Sequence, residues 1–526
     1  MCTGSAKPVS IFNDVLGPVM RGPSSSHTAG AYHIGAIARA LLGDEPEKVT
    51  FVFDPGGSFA EVYRQQGSDL GFTAGILGWP ITDDRFPEAL ELAAKQGIGV
   101  EFAVEPLSRA DHPNSVEIRM VSCGGRQLTL TAQSEGGGAI VVTQVQGWPV
   151  RLTGDAHDVL ISLRTEAEPA VSKLLTADGQ IIGPIARDQR GTEVLVHARR
   201  RAPLDPGVRH RLRSLVGVHD VWTAAPVFFV QQGAGLFASG AEMLALAVQR
   251  GWSLGEVALE YESSLLGLRR RDVLDETLRR FEVMRAAVQC GLSEAPPPMR
   301  LLEPTARQIY QAEKDGRVAI GGIHTRAAAR ALAVMHVNSG MGVVCAGPTA
   351  GSAGVIPGVV VTLVEDKGLN ETQTALALLA ASAIGVVIDT RATFAAEVAG
   401  CQVEIGASGA MAAAAVVESV GGSAQQATDA AAIALQNAIG SVCDPVQGLV
   451  EIPCHTRNAA AAASAFVCAD LILGGYRNPI PLDETIDAVM SVGRMLPREL
   501  KCTARGGLAV VPSALALRGA RPLLDT

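Results

Sequence analysis

The spacing of apolar positions changes twice along the chain. In the first 150 residues, short apolar runs alternate with turns: 49–53 reads as a strand closed by Asp54-Pro-Gly-Gly, and 116–121 with 127–132 as a hairpin-like pair around Cys123-Gly-Gly-Arg. Helical spacing over 29–42 and 88–96 adds helices, so an α+β domain is predicted for 1–150. Between 151 and 230 the units shorten to strand, helix, strand, helix, strand at 159–163, 169–175, 193–198, 208–215 and 218–222. That order is one strand short of βαββαβ and predicts a small ferredoxin-like, ACT-like regulatory module. From 235 to 526 the texture becomes Ala/Leu/Val-rich with helical spacing, at 241–249, 274–288, 304–313, 325–338, 371–388, 410–419, 425–436, 458–472 and 483–494. A mostly α-helical C-terminal domain is predicted.

Composition narrows the function classes. With 526 residues, 48% hydrophobic and 18% charged, the chain can bury ample core over roughly two to four domains. A net charge of −9 and the lack of a basic stripe argue against nucleic acid; Arg199–Arg201 and Arg269–Arg271 read as solvated faces. The start, MCTGSAKPVSIFNDV, shows no charged region followed by an apolar one, so no secretion signal is expected. The most apolar run, 375–388, is short for a bilayer and is closed by Asp389 and Arg391, which predicts a buried helix and no membrane partner. Nine cysteines without a CxxC pair suggest reduced thiols and a cytoplasmic location.

Three runs of small and polar residues break the pattern: GPSSSHTAG at 22–30, CAGPTAGSAGVIPG at 345–358 and CDPVQGLVEIPCHTRN at 443–458. Ser24, Ser25, Ser26 and Thr28 precede a helix, where hydroxyls cap the start and make an anion site. In the second run Gly347, Gly351 and Gly354 let a backbone N–H approach an anion, and Thr349 and Ser352 add hydroxyls.

Taken with GGSFAEVYRQQGSDLGFTAGILG at 56–78, HPN at 112–114, AGCQVEIGASGAMAAAA at 399–415 and ELKCTARGGLA at 499–509, these runs resemble the iron–sulfur-type L-serine dehydratase family. The resemblance covers nearly the whole chain, β-type part first and α-type part second, as in single-chain members. It implies deamination of L-serine without pyridoxal phosphate, by a [4Fe-4S] cluster held by three thiolates with one iron open. Of the three family ligand positions, Cys401 is matched; the other two are Ala353 and Gly409. The pattern therefore predicts a lyase without the usual cluster, removing an α-proton and a β-substituent from a small hydroxy- or β-substituted amino acid. Two alternatives stay open: a non-catalytic amino-acid-binding or scaffold relative, and a true L-serine ammonia-lyase whose site recruits Cys345, Cys443, Cys454, Cys468 or Cys502.

By the same resemblance His27, Cys401 and Asp444 are the catalytic candidates. Ser24, Ser25, Ser26, Thr28, Thr349, Ala350, Gly351, Ser352, Arg457, Asn458 and Arg505 are the substrate-binding ones. A homodimer is expected, because the family's two parts pair their pockets across chains.

Overall fold

The computed structural model describes residues 8–108 and 111–517. The chain forms two compact units. One takes the residues up to Ser26, the segment Arg64–Gly67 and everything from Gly233 onward; the other takes His27–Tyr63 and Ser68–Gln232.

In the second unit a six-stranded mixed sheet runs in the order Gly99–Val104, Pro46–Phe53, Ser115–Ser122, Gln127–Gly136, Ala139–Val145, Trp148–Leu152. Alternate residues of Gln127–Gly136 are buried, the period of a sheet with one face on a core. That core gathers Phe51, Phe53, Phe59 and Phe72 under the helices Gly30–Leu42 and Ser68–Leu77. The two helices pack closely because Gly35, Gly71 and Gly75 lack side chains where each meets the other's backbone.

The same unit holds a ferredoxin-like module with its full βαββαβ order. Its sheet runs Val218–Ala224, His157–Arg164, Glu193–Arg200, Ala186–Arg190. The strand absent from the sequence reading, Ala186–Arg190, is an edge strand of largely exposed polar residues. Main-chain pairing to Glu193–Arg200 alone makes it a strand, so no apolar alternation marks it.

The first unit is helical. Its central helix, Glu371–Arg391, has 21 residues, more than the apolar run that predicted it. By length and composition it could cross a membrane, but 78% of its apolar window is buried inside the protein, the position of a core helix. Two long helices escaped the periodicity, Leu254–Leu266 and Val355–Lys367, along with the short Ala396–Ala399 and Pro512–Ala516. The second begins inside the Gly/Pro run: Pro357 falls in its first turn, where the amides lack intrahelical partners anyway. Gly358 serves close packing there. A Cβ would lie 2.8 Å from the carbonyl oxygen of Ala327 and 2.9 Å from the Ala331 methyl, on the helix Ile323–Ser339. Gly358→Ala is expected to lower stability by about 1–3 kcal/mol through overpacking, read from the urea midpoint.

The N-terminal segment is threaded into this unit. Glu262, fully buried, accepts hydrogen bonds from Ser10 Oγ (2.6 Å), Ile11 N (2.9 Å) and Phe12 N (3.0 Å). Tyr261 donates to the carbonyl of Val9. Val19–Arg21 then pairs antiparallel with Val343–Cys345, which brings the serine loop beside the 345–358 run.

Burial raises the Glu262 carboxyl from 4.5 to about 7. The folded state thus binds the proton more tightly than the unfolded chain, so this group's contribution to stability declines as pH rises from about 4.5 to about 7 and is flat above. At about 1.4 kcal/mol per pH unit the decline is on the order of 3 kcal/mol. Glu262→Gln should remove that slope from urea midpoints measured across pH 4.5–8.

Candidate active site

Three loops of the helical unit meet around a group of buried thiols. Ser25 Oγ accepts from Ala350 N at 3.3 Å, joining the serine loop to the 3-10 turn Ala350–Ser352. Ser26 Oγ donates to Glu397 Oε1 at 2.7 Å, and Ser24 and Ser26 hydroxyls lie 3.4 Å apart. Thr349 Oγ1 and Ser352 Oγ are 3.1 Å apart in the facing turn.

The hydroxyls do not cap the following helix, as the sequence suggested. A π-helical turn, Ser25–Ala29, runs straight into Gly30–Leu42, whose N-cap Ala29 has no side-chain bond. Ser25 and Ser26 are left to bridge to other loops.

Asn458 holds the second loop from below. Its Oδ1 accepts from Gly354 N (3.0 Å), and its Nδ2 donates to Gly351 O and Cys454 O (2.9 Å each). The amide is committed to main chain, which makes Asn458 a clamp on the turn.

Cys401 does not stand alone among the thiols. Cys401, Cys443 and Cys502 are 2%, 4% and 8% exposed and share one cluster with Ala396 and Ile405. The ligand atoms of Cys401, Cys443 and Glu404 all lie within 4.8 Å of one another. Cys443 hydrogen-bonds both Cys401 and Cys502. Main chain imposes the second meeting: Cys443 N donates to Leu500 O and Cys502 N to Cys443 O, at 2.9 Å each. Cys454, also buried, lies within electrostatic reach of Cys401 and Cys502.

The Cys443 hydrogen bond and the Arg457 guanidinium hold the Cys401 thiol below its usual range against the effect of burial. Cys443, donor to its neighbours, is pushed well up. Burial raises the Glu404 carboxyl far above the ordinary range. Arg457 is placed by Asp444 Oδ1 (3.0 Å) and the carbonyl of Val442 (2.8 Å). Asp444 Oδ2 in turn accepts from Leu508 N at 2.8 Å, so Asp444 orients the cation and ties down the ARGG loop.

The other candidates fall elsewhere. His27 and Thr28 belong to the second unit, where His27 is fully buried with Nε2 3.0 Å from Ser58 Oγ and its ring edge-on to Phe59. Arg505 is exposed. Ala353 is buried behind the Ala350–Ser352 turn. Gly409 opens on a cavity of 220 Å³ lined also by Ile405, Ser441, Arg457 and Ala461.

Sequence reasoning did not select Glu397, Glu404 or Gln66. Gln66, from the short segment that joins this unit, donates to Gly448 O (3.2 Å) and to Cys502 Sγ (3.8 Å). Cys443 and Cys502 lay inside the quoted motifs, but nothing in their spacing announces that they meet Cys401.

The donor set suits a metal group. Cys401, Cys443 and Glu404 bring their ligand atoms within 4.8 Å of one another, and Cys443 also bonds Cys502. Soft thiols are the donors that bind iron–sulfur clusters, and these residues offer them without any donor from positions 353 or 409.

A family profile described as serine dehydratase alpha chain matches residues 249–509. A probable L-serine dehydratase alpha chain of Bacillus subtilis (strain 168) is 36% identical over 54% of this chain and 94% of its own length. The L-serine dehydratase alpha chain of Peptoniphilus asaccharolyticus is 35% identical over 51% and 92%. A probable L-serine dehydratase beta chain of B. subtilis is 43% identical over 29% of this chain and 67% of its own. One polypeptide thus carries likeness to both chain types, and it is a lyase belonging to the iron–sulfur-type L-serine dehydratase family.

Proposed function

We propose that this chain deaminates L-serine or a close β-substituted amino acid, using an iron–sulfur cluster held by Cys401, Cys443 and Cys502. The observation that carries this reading is the meeting of these thiols beside the serine and threonine hydroxyl loops. Of the readings left open by Ala353 and Gly409, this is the one in which the site recruits other thiols. When bound, a cluster on three thiolates supplies an open iron as Lewis acid toward the substrate hydroxyl.

The chain's own groups do the rest. Ser24, Ser25 and Thr349 offer buried hydroxyls to the substrate carboxylate, in surroundings where hydrogen bonds to charge are strong, while Ser26 gives its one hydroxyl proton to Glu397. Arg457, oriented by Asp444, keeps positive charge beside Cys401 and favours its thiolate. Burial of the serine and threonine hydroxyls and of Asp444 keeps bulk water from these groups.

The deciding experiment is anaerobic reconstitution with iron and sulfide, followed by iron analysis, absorbance and pyruvate formation from L-serine. About four irons per chain, as one cubane requires, together with turnover support the reading; no iron uptake by the wild type overturns it. Ser25→Ala and Thr349→Ala should each weaken L-serine binding by about 1.5–3 kcal/mol, read by calorimetry; unchanged affinity in both would remove these loops from the substrate site.

A homodimer and a cytoplasmic location are part of the proposal. Family resemblance supports the first, and the second accords with eight free cysteines among the described residues.

A further inference from the structure

We propose that Glu397 is a positioning residue, tying the serine loop to the turn that carries Cys401 so that substrate hydrogen bonds and thiol cluster keep one geometry. The inference rests on the proposed serine chemistry.

Glu397 is 7% exposed, and its Oε1 takes the Ser26 hydroxyl at 2.7 Å. It lies in the one-turn helix Ala396–Ala399, which ends at Gly400 with φ 78°, a left-handed conformation that suits glycine. Cys401 follows directly, at the start of the 3-10 turn Cys401–Val403. One side-chain bond therefore spans from the substrate loop to the thiol loop, across 371 positions of sequence.

That turn is itself held rigidly. Gln402, fully buried, donates to Ala399 O (2.8 Å) and Val489 O (3.1 Å) and accepts from Gly440 N (3.0 Å). Anchored by Gln402 on one side, the turn offers Ser26 a fixed acceptor on the other.

The choice of a carboxylate is informative. Glu397 is within electrostatic reach of Glu404 and of Cys502, surroundings that disfavour another negative group. A residue present only to fill space would be apolar here. A carboxyl oxygen is kept where it accepts the Ser26 hydroxyl, a bond that an apolar side chain cannot make. Losing it frees Ser26, and with it the loop that presents Ser24 and Ser25.

The test uses the reconstituted full-length protein and the variants Glu397→Ala, Glu397→Gln, Ser26→Ala and the double Glu397→Ala, Ser26→Ala. Measured are kcat and KM for L-serine, L-serine affinity by calorimetry, bound iron and melting temperature. Glu397→Ala should raise KM and weaken affinity about tenfold, the loss of one buried hydrogen bond, with kcat changed less than about threefold and iron content equal to wild type. Glu397→Gln should recover most of the affinity, since its amide oxygen can accept the same hydroxyl. The double variant should be no worse than Glu397→Ala alone, because both remove one bond.

Additive effects of Glu397→Ala and Ser26→Ala overturn the inference. So does a glutamine variant as impaired as alanine, or iron and melting temperature falling together without a KM change, which would make Glu397 structural. Should the wild type neither bind nor consume L-serine, the proposed function fails and the inference with it; wild-type turnover with any of the other contrary results removes the inference alone.

Discussion

On the proposed cluster-bearing reading, Cys443→Ser is expected to abolish iron uptake and visible absorbance on reconstitution, and to lower L-serine turnover on the order of a thousandfold. Cys443 is the middle member of the trio, bonded to both Cys401 and Cys502, so its loss breaks both thiol contacts at once. Serine keeps the size and a hydroxyl but is a hard, weakly acidic ligand that binds iron poorly. The size of the kinetic loss is that expected if the proposed cluster would supply several kcal/mol as a Lewis acid at the leaving hydroxyl. Cys468→Ser is the matched control: Cys468 is buried on the helix Cys454–Leu473 but bonds Ser464 and Asn437, away from the trio. It should keep full iron content. Normal iron and turnover in Cys443→Ser would show that the trio is packing.

Arg280→Met is expected to cost on the order of 3–5 kcal/mol of stability, the range for removing one partner of a buried charge arrangement. The guanidinium is 4% exposed and donates to the carbonyls of Phe12 (2.7 Å) and Leu16, while Nε holds Glu276 at 2.8 Å. It also stacks over the Phe12 ring, 4.6 Å from the centroid. Methionine fills much of the volume but leaves two carbonyls and a carboxylate without this partner. Since this contact and Glu262 hold the segment that leads to Ser24, the loss should appear in L-serine affinity as well as in the urea midpoint. Arg285→Met, on the same helix but paired with Glu282 at the surface, should change stability by less than about 1 kcal/mol. Equal effects of the two substitutions would rule out the anchoring role of Arg280.

Much of the architecture was readable before the fold was known, for a local reason. The predicted strand over 49–53 lies inside Pro46–Phe53, and the helix over 274–288 inside Arg270–Gly291, because apolar period and secondary structure are coupled within a few residues. Where burial does not follow period, the reading failed. Ala186–Arg190 is a strand only through its neighbour, and Val355–Lys367 starts in a Gly/Pro run that looks like a loop until helix packing is seen to require the glycines.

At the site, motif likeness found Ser24, Ser25, Ser26, Thr349, Cys401 and Asp444 by residue type and local order. It also led to the expectation of a lost cluster, since it compared positions one by one and found Ala353 and Gly409 where thiols were sought. Whether Cys401 has fellow donors is a question of distance in space. The contacts that bear on it are the approach of Cys443 and Glu404 to Cys401 and the main-chain pairing of Cys443 with Cys502, and reconstitution with iron and sulfide is the test of that expectation. Residue pattern thus settled the element types, the α+β-then-helical order and the family. The tertiary structure alone decided which thiols and carboxylates meet, because contacts between residues far apart in sequence are selected by the packing of whole elements and leave no periodic trace in the chain.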